Sequence, residues 1–355
     1  MKGKIGMERR KFVKTLASGV AVVAVAGKGR LSAAETAEVL GHGDFRYQAV
    51  PGWGVLDAQT PVKDCHGMAQ TRDGRIFLLT NHTANNVVIY NREGRLLGKW
   101  GKEFPGAHGL TLFEEKGEER FFITDHDRHQ VFKTTMDGKI LMTLDWPEKT
   151  GQYAKADQYK PTHVAVRPDG GFYVADGYGL NFIVQYDARG KIERVFGGGG
   201  EGPDALQCAH GIHIDRRDPA RPVLLITSRS QNAIKRFSLD GQYLDTIALP
   251  GAMPCFMVPF GEHLVVPHLM GAKAPEGSKV KNGFVSVLDR RNRIVSNIAG
   301  PAPAYDAAGA LAPMSATGTL FRYPHGLMVD DEQSIYVAQW NSGRTYPIKL
   351  RRVRV

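Results

Sequence analysis

Residues 208–214 read "CAHGIHI", and the same His-Gly-aliphatic unit recurs as "DCHGMAQ" at 64–70, "GAHGLTL" at 106–112 and "YPHGLMV" at 323–329. Each copy opens a segment of alternating apolar residues. Beyond Gly67 the chain runs "MAQTRDGRIFLLTNHTANNVVIYNREGRLLGKWG", and beyond Thr162 it runs "HVAVRPDGGFYVADGYGLNFIVQYDARGKIERVFG". Both read as strand, Asp-Gly turn, strand, polar loop, strand, Gly turn, strand. The pattern returns after His108, His210, Cys255 and His325, which makes six four-stranded units starting near 66, 108, 162, 210, 255 and 325. Units of this length and strand number are β-propeller blades, which bury their faces against their neighbours in a ring. The expected fold is therefore all-β, a six-bladed β-propeller. Two separate β-sandwiches would not repeat one residue at one place. The last unit runs out of chain soon after its third strand, while "DFRYQAVPGWGVLDAQT" at 44–60 is β-forming. An N-terminal strand is thus expected to complete the sixth blade and close the ring, removing its last open edge.

The 355 residues, 42% hydrophobic with 41 glycines, can bury a large core built from short strands and tight turns. The net charge of +10 is unevenly spread: eight basic residues and one acidic residue lie within 1–34. The remainder mixes both signs without a broad basic face, which excludes a nucleic-acid partner. The N-terminal charge has another reading. "ERRKFVKTLASGVAVVAVAG" places Arg9 and Arg10 ahead of a mildly apolar stretch, the pattern of a twin-arginine signal cleaved after Ala26 or Ala34. That stretch is too short and weakly apolar for a stable membrane anchor. The expected domains are a signal at 1–34 and a propeller at 35–355, in a protein exported folded by the twin-arginine translocation machinery to the periplasm or beyond. Three cysteines, Cys65, Cys208 and Cys255, do not form a disulfide framework.

The first strand of each propeller blade lines the central channel, so equivalent residues there face one another. Here they are His66, His108, Thr162, His210, Cys255 and His325. His108, His210 and His325 fall on alternate blades, 120° apart. Three converging imidazoles with one open face suit a catalytic zinc or another divalent transition metal. Each following glycine permits close packing at a crowded axis. His66 is an additional ligand, a hydrogen-bond partner or part of a second site, and Cys255 is a buried thiol or a further ligand. His163 aligns with the glycines and not with the histidines. Loops at the channel mouth carry Asn81, His82, Asp125, His126, Tyr178, Arg229 and His268. A phenol beside a divalent cation and a guanidinium can have its pKa lowered enough to act as a base, which singles out Tyr178 with Arg229. The insertion "HLMGAKAPEGSKVKN" at 268–282 predicts a loop near the mouth.

The stretches "GAHGLTL…FFITDHDRHQVFKTT", "YKPTHVAV…GGFYVADGYGLNFIVQY", "CAHGIHI…LLITSRSQNAIKRF", "NGFVSVLD" and "YPHGLMVDDEQSIYVAQW" resemble successive blades of the peptidyl-α-hydroxyglycine α-amidating lyases, six-bladed NHL-type propellers. The resemblance runs in order from about residue 60 to the C-terminus. It implies a zinc held by His108, His210 and His325, with Tyr178 in the "DGY" loop and Arg229 in "TSRSQN" at the positions that carry the chemistry. It also implies cleavage of a carbinolamine C–N bond, giving an amide and glyoxylate from a small-molecule or peptide substrate. Three positions depart from the family pattern. Asn81 and His82 stand where the family has a second arginine, and Gly179 where it has a cysteine. Gly326 stands where an acidic residue serves a structural calcium, which leaves that calcium open. The functional expectation is an exported metal-dependent C–N lyase; the alternatives are a metal-dependent lactonase or esterase and a non-catalytic binding platform.

Overall fold

The computed structural model describes residues 38–270 and 282–354. The twin-arginine segment at 1–34 and most of the 268–282 insertion lie outside the described residues. No helix among those described is long and apolar enough to cross a membrane.

The chain forms six small antiparallel sheets arranged as a six-bladed β-propeller. Blades one to five are four-stranded and span 65–100, 107–144, 163–197, 209–248 and 258–298, with strands paired in sequence order from the axis outward. The sixth sheet takes Pro324–Val329, Ile335–Gln339 and Ile348–Arg352 from the C-terminal end of the chain. Phe45–Val50 pairs antiparallel with Ile348–Arg352, and Leu40–His42 pairs onto Phe45–Val50 as a fifth strand. The β-forming stretch at 44–60 is thus a strand only as far as Val50. Residues 51–60 turn instead, because Trp53 wedges between Tyr90 and Tyr336 and gives its indole N–H to the Arg92 carbonyl at 2.9 Å.

Burial follows the strand period of two. In blade two Phe121 and Ile123 pack toward blade one, while Phe122 between them packs toward blade three. Each blade interface accordingly holds one continuous apolar cluster, six in all. The outer strands of blades one to four bury little and leave Leu96, Leu97, Ile140, Leu141 and Leu244 exposed, whereas Ile294–Ile298 of blade five is largely buried. The Asp-Gly turns form as read: Gly74 and Gly170 sit at φ of 83° and 85°, where a side chain would be strained.

At the axis the inner strands crowd together. A Cβ built on Gly109, Gly211 or Gly326 would overlap a backbone carbonyl of the next blade, from Thr162, Cys255 or His66 respectively. We predict that Gly211→Ala lowers unfolding stability by about 2–3 kcal/mol through this overpacking. Gly98→Ala, on an outer strand whose added Cβ meets only the tip of Ile89 at 3.7 Å, should change it by no more than about 1 kcal/mol. Denaturant melts of the two variants check the contrast.

Candidate metal centre

In all four His-Gly blades the pairing of the first two strands shifts register at the motif, between Cys65 and Gly67, Ala107 and Leu110, Ala209 and Ile212, and Pro324 and Leu327. Blade three, which lacks the motif, pairs without a shift. A bulge re-aims the side chain it carries. Here it turns the imidazoles into the channel, where His66, His108, His210 and His325 are all buried. The rings of His108, His210 and His325 lie 4.6–4.8 Å apart centre to centre, every pair in contact.

The three even-blade imidazoles are held in one way. Nδ1 of His108 lies 2.8 Å from the Thr162 carbonyl, Nδ1 of His210 lies 3.3 Å from that of Cys255, and Nδ1 of His325 lies 3.4 Å from that of His66. A carbonyl only accepts, so each Nδ1 carries the proton and each Nε2 presents a lone pair. Every acceptor is the residue at the equivalent axial position of the following blade. Thr124 and Thr227 reinforce two of these contacts. Their hydroxyls accept the Gly109 and Gly211 N–H at 2.7 Å and donate to the Thr162 and Cys255 carbonyls at 3.0 and 2.8 Å. Neither threonine stood out in the sequence, because a β-branched residue in a strand carries no signal of its own.

The lone pairs have too few protons to meet. The Tyr178 hydroxyl lies 3.0 Å from Nε2 of both His108 and His210, and can donate to only one of them. Nε2 of His325 is buried with no hydrogen-bond partner. Burial pushes all three imidazoles well below their usual range, so they stay neutral. Two groups of nitrogen or sulfur atoms lie within 4.8 Å of one another: His66 with His108 and His325, and His210 with Cys255 and His325; the expected trio of His108, His210 and His325 is neither of them, His108 and His210 falling in separate groups that share His325. These groups could hold a metal. They contain nitrogen and thiol sulfur and no carboxylate, a donor set that fits a borderline divalent ion such as zinc and not magnesium or calcium.

Arg229 places a guanidinium N–H 3.3 Å from the Tyr178 hydroxyl oxygen and lies over its ring at 5.2 Å. His126 packs against the rings of Tyr178 and His108 from the mouth side. Phe256 closes the other side, touching the rings of His108, His210 and His325. It occupies the position that glycine fills in the His-Gly blades, and nothing in the sequence singles it out.

The remaining candidates fall in different surroundings. Tyr178 is raised above the ordinary phenol range because burial outweighs the opposing Arg229 charge, so the surrounding protein alone does not make it a base. His268 is not at the centre: it ends a strand, stacks on Phe284 and bonds Ser286 Oγ through Nε2 at 2.9 Å. Asn81 and His82 fold their own loop, Asn81 accepting the Asp64 N–H at 3.0 Å and His82 the Ala84 N–H at 3.1 Å. Cys255 is a buried thiol whose sulfur lies within 4.8 Å of ligand atoms of His210 and His325, and burial pushes it up to about 11. Gly179 and Gly326, two of the three departures from the family pattern, leave no room for any Cβ.

No protein-family model matches the chain. Among curated proteins it is 32% identical over 145 residues to a probable peptidyl-alpha-hydroxyglycine alpha-amidating lyase of Caenorhabditis elegans, covering 37% of this chain and 40% of the relative. It is 38% identical over 108 residues to peptidyl-alpha-hydroxyglycine alpha-amidating lyase 1 of Drosophila melanogaster, covering 29% and 19%. The chain therefore matches well under two thirds of the length of these relatives. Among solved structures, a gluconolactonase from Xanthomonas campestris superposes with a TM-score of 0.58 at 14% identity, over 87% of this chain and 90% of the other. Virginiamycin B lyase from Staphylococcus aureus superposes with 0.55 at 16% identity, over 87% and 100%. The structures share the fold; the resemblance to the amidating lyases rests on the curated relatives.

Thr227→Val should test the support beneath His210. It leaves the Gly211 N–H unpaired at the axis, which costs about 1–3 kcal/mol of stability. Loosening the imidazole should also weaken divalent-metal retention by roughly tenfold to a hundredfold, read by competition with a chromogenic chelator.

Proposed function

We propose that this chain is a metal-dependent carbon–nitrogen lyase of the amidating-lyase type, acting on an α-hydroxy amide of a small molecule or peptide. The observation that carries the reading is the set of three carbonyl-locked imidazoles, two of which, His108 and His210, direct Nε2 at the Tyr178 hydroxyl that Arg229 also contacts. His108, His210 and His325 would hold the ion. A divalent ion there supplies Lewis acidity, which lowers the cost of ionising a substrate hydroxyl near neutral pH.

The residues around it divide the remaining work. Tyr178, acting as phenolate, takes the hydroxyl proton at its own oxygen. The electron pair left on the substrate oxygen forms the C=O bond, the C–N bond breaks, and the departing amide nitrogen receives a proton back from Tyr178. Arg229 stabilises the phenolate by the contact it already makes, offsetting part of the burial that opposes ionisation, and the bound ion would supply the rest. Phe256 excludes water from the inner face, which disfavours hydrolysis.

The test is incubation of the zinc-loaded protein with a hydroxyglycine-terminated peptide. Glyoxylate release is expected, and Tyr178→Phe should reduce turnover by roughly 10²–10⁴-fold while leaving the bound zinc in place. Cleavage of lactones without glyoxylate release would replace the lyase reading with a hydrolase. Purified protein that takes up no divalent metal would remove both in favour of a binding platform.

We further propose export through the twin-arginine route, supported by Arg9 and Arg10 ahead of the apolar stretch. Replacing both by lysine should leave the precursor in the cytoplasm of the producing bacterium, as read by fractionation and immunoblotting; periplasmic protein in undiminished amount would argue against it.

A further inference from the structure

Resting on that metal reading, we propose that His66 is itself a ligand of the ion, adding a fourth imidazole to those of His108, His210 and His325. His66 lies on an odd blade, where the axial position is otherwise Thr162 or Cys255. Its ring packs 4.7 Å from those of both His108 and His325. Its ligand nitrogen lies within 4.8 Å of theirs. The even-blade imidazoles each settle Nδ1 on a carbonyl, but Nδ1 and Nε2 of His66 are both buried without a hydrogen-bond partner.

A histidine kept for packing does not look like this. His163, one register away, bonds the Ile212 carbonyl through Nδ1 at 3.1 Å, and His268 engages Ser286 through Nε2. Burying an imidazole with neither nitrogen satisfied forfeits the hydrogen bonds it makes in water, a loss that selects against the residue unless a partner is supplied. The atoms facing it are the rings of two metal-site histidines, which offer lone pairs and ring carbons but no donor, since their Nδ1 protons are already committed. A cation shared with His108 and His325 satisfies His66 and the unpartnered Nε2 of His325 together.

The backbone pre-organises this arrangement. His66 lends its carbonyl to Nδ1 of His325, so the main chain that carries the fourth imidazole also fixes the tautomer of its neighbour. The missing Cβ of Gly326 lets the two strands approach that closely.

The experiment is X-ray absorption spectroscopy at the zinc edge on the zinc-loaded full chain and on His66→Ala, with affinity measured by chelator competition. The imidazole count should fall by one in the variant, and affinity should fall by more than about a hundredfold, the upper end of what loss of an outer-shell partner costs. An unchanged imidazole count overturns the proposal while leaving the metal reading intact. Wild-type protein that binds no zinc overturns the metal reading and this inference with it. If the alanine variant does not fold, His66→Gln keeps most of the volume and a polar group, and is judged by the same count.

Discussion

The hydrogen bond from an imidazole N–H on an even blade to the axial carbonyl of the next blade joins the architecture to the chemistry. It is an interface contact, because it ties adjacent blades, and a tautomer lock, because a carbonyl leaves the ring proton no other place. Three features must coincide for it to form. A register shift turns the histidine inward, a glycine beside it lets the neighbouring backbone approach, and in blades two and four a threonine absorbs the N–H that the bulge exposes. One such bond adds only about 1 kcal/mol to stability. Its larger effect is on direction: it decides which nitrogen faces the channel.

The even and odd blades consequently do different work. Even blades contribute side chains to the axis and odd blades contribute carbonyls, so the odd-blade side chains are released from that structural duty. The Thr162 hydroxyl lies 3.1 and 3.0 Å from the carbonyls of Ala175 and Ala209 and has one proton for the two, Cys255 presents a thiol, and His66 presents an imidazole. A propeller can vary these three positions without disturbing the tautomer lock, since any residue has a carbonyl. This is where a relative of the amidating lyases can depart from them at low structural cost.

What the sequence revealed and what it hid follow the same division. The histidines, the Asp-Gly turns and the six units were legible because they are side-chain identities recurring at fixed spacing. The acceptors of the imidazole protons were not, because a backbone carbonyl has no letter in the sequence. Thr124 and Thr227 look like ordinary strand residues in "FFITD" and "LLITS", and only the fold shows their hydroxyls bridging two blades. His268 was misplaced for a related reason. Position at the end of a strand places a residue near the mouth, but it does not say which way the residue points, and Phe284 and Ser286 hold this one in its own blade. The ionisation of Tyr178 was read from its charged neighbours alone, and the weight of burial became visible only with the ring enclosed.

That burial gives Arg229 its significance. The guanidinium is half-buried, its Nε is unpartnered, and the groups near it able to carry negative charge are the Tyr178 phenol and the thiols of Cys208 and Cys255. Burial raises both thiols, so neither is a ready counter-charge at neutral pH. A permanent cation held this way lowers the basicity of the imidazoles and pulls against the burial that raises Tyr178. In the proposed reaction its field would be best satisfied by an anion that arrives or forms, either the phenolate or a charged group of the substrate. The mouth of this channel is therefore electrostatically incomplete on the side where proton transfer is proposed, and complete on the opposite side, where Phe256 covers the rings. On the proposed reaction that asymmetry sets a direction of approach: a substrate hydroxyl entering past Arg229 would meet Tyr178 and the lone pairs of His108 and His210 together.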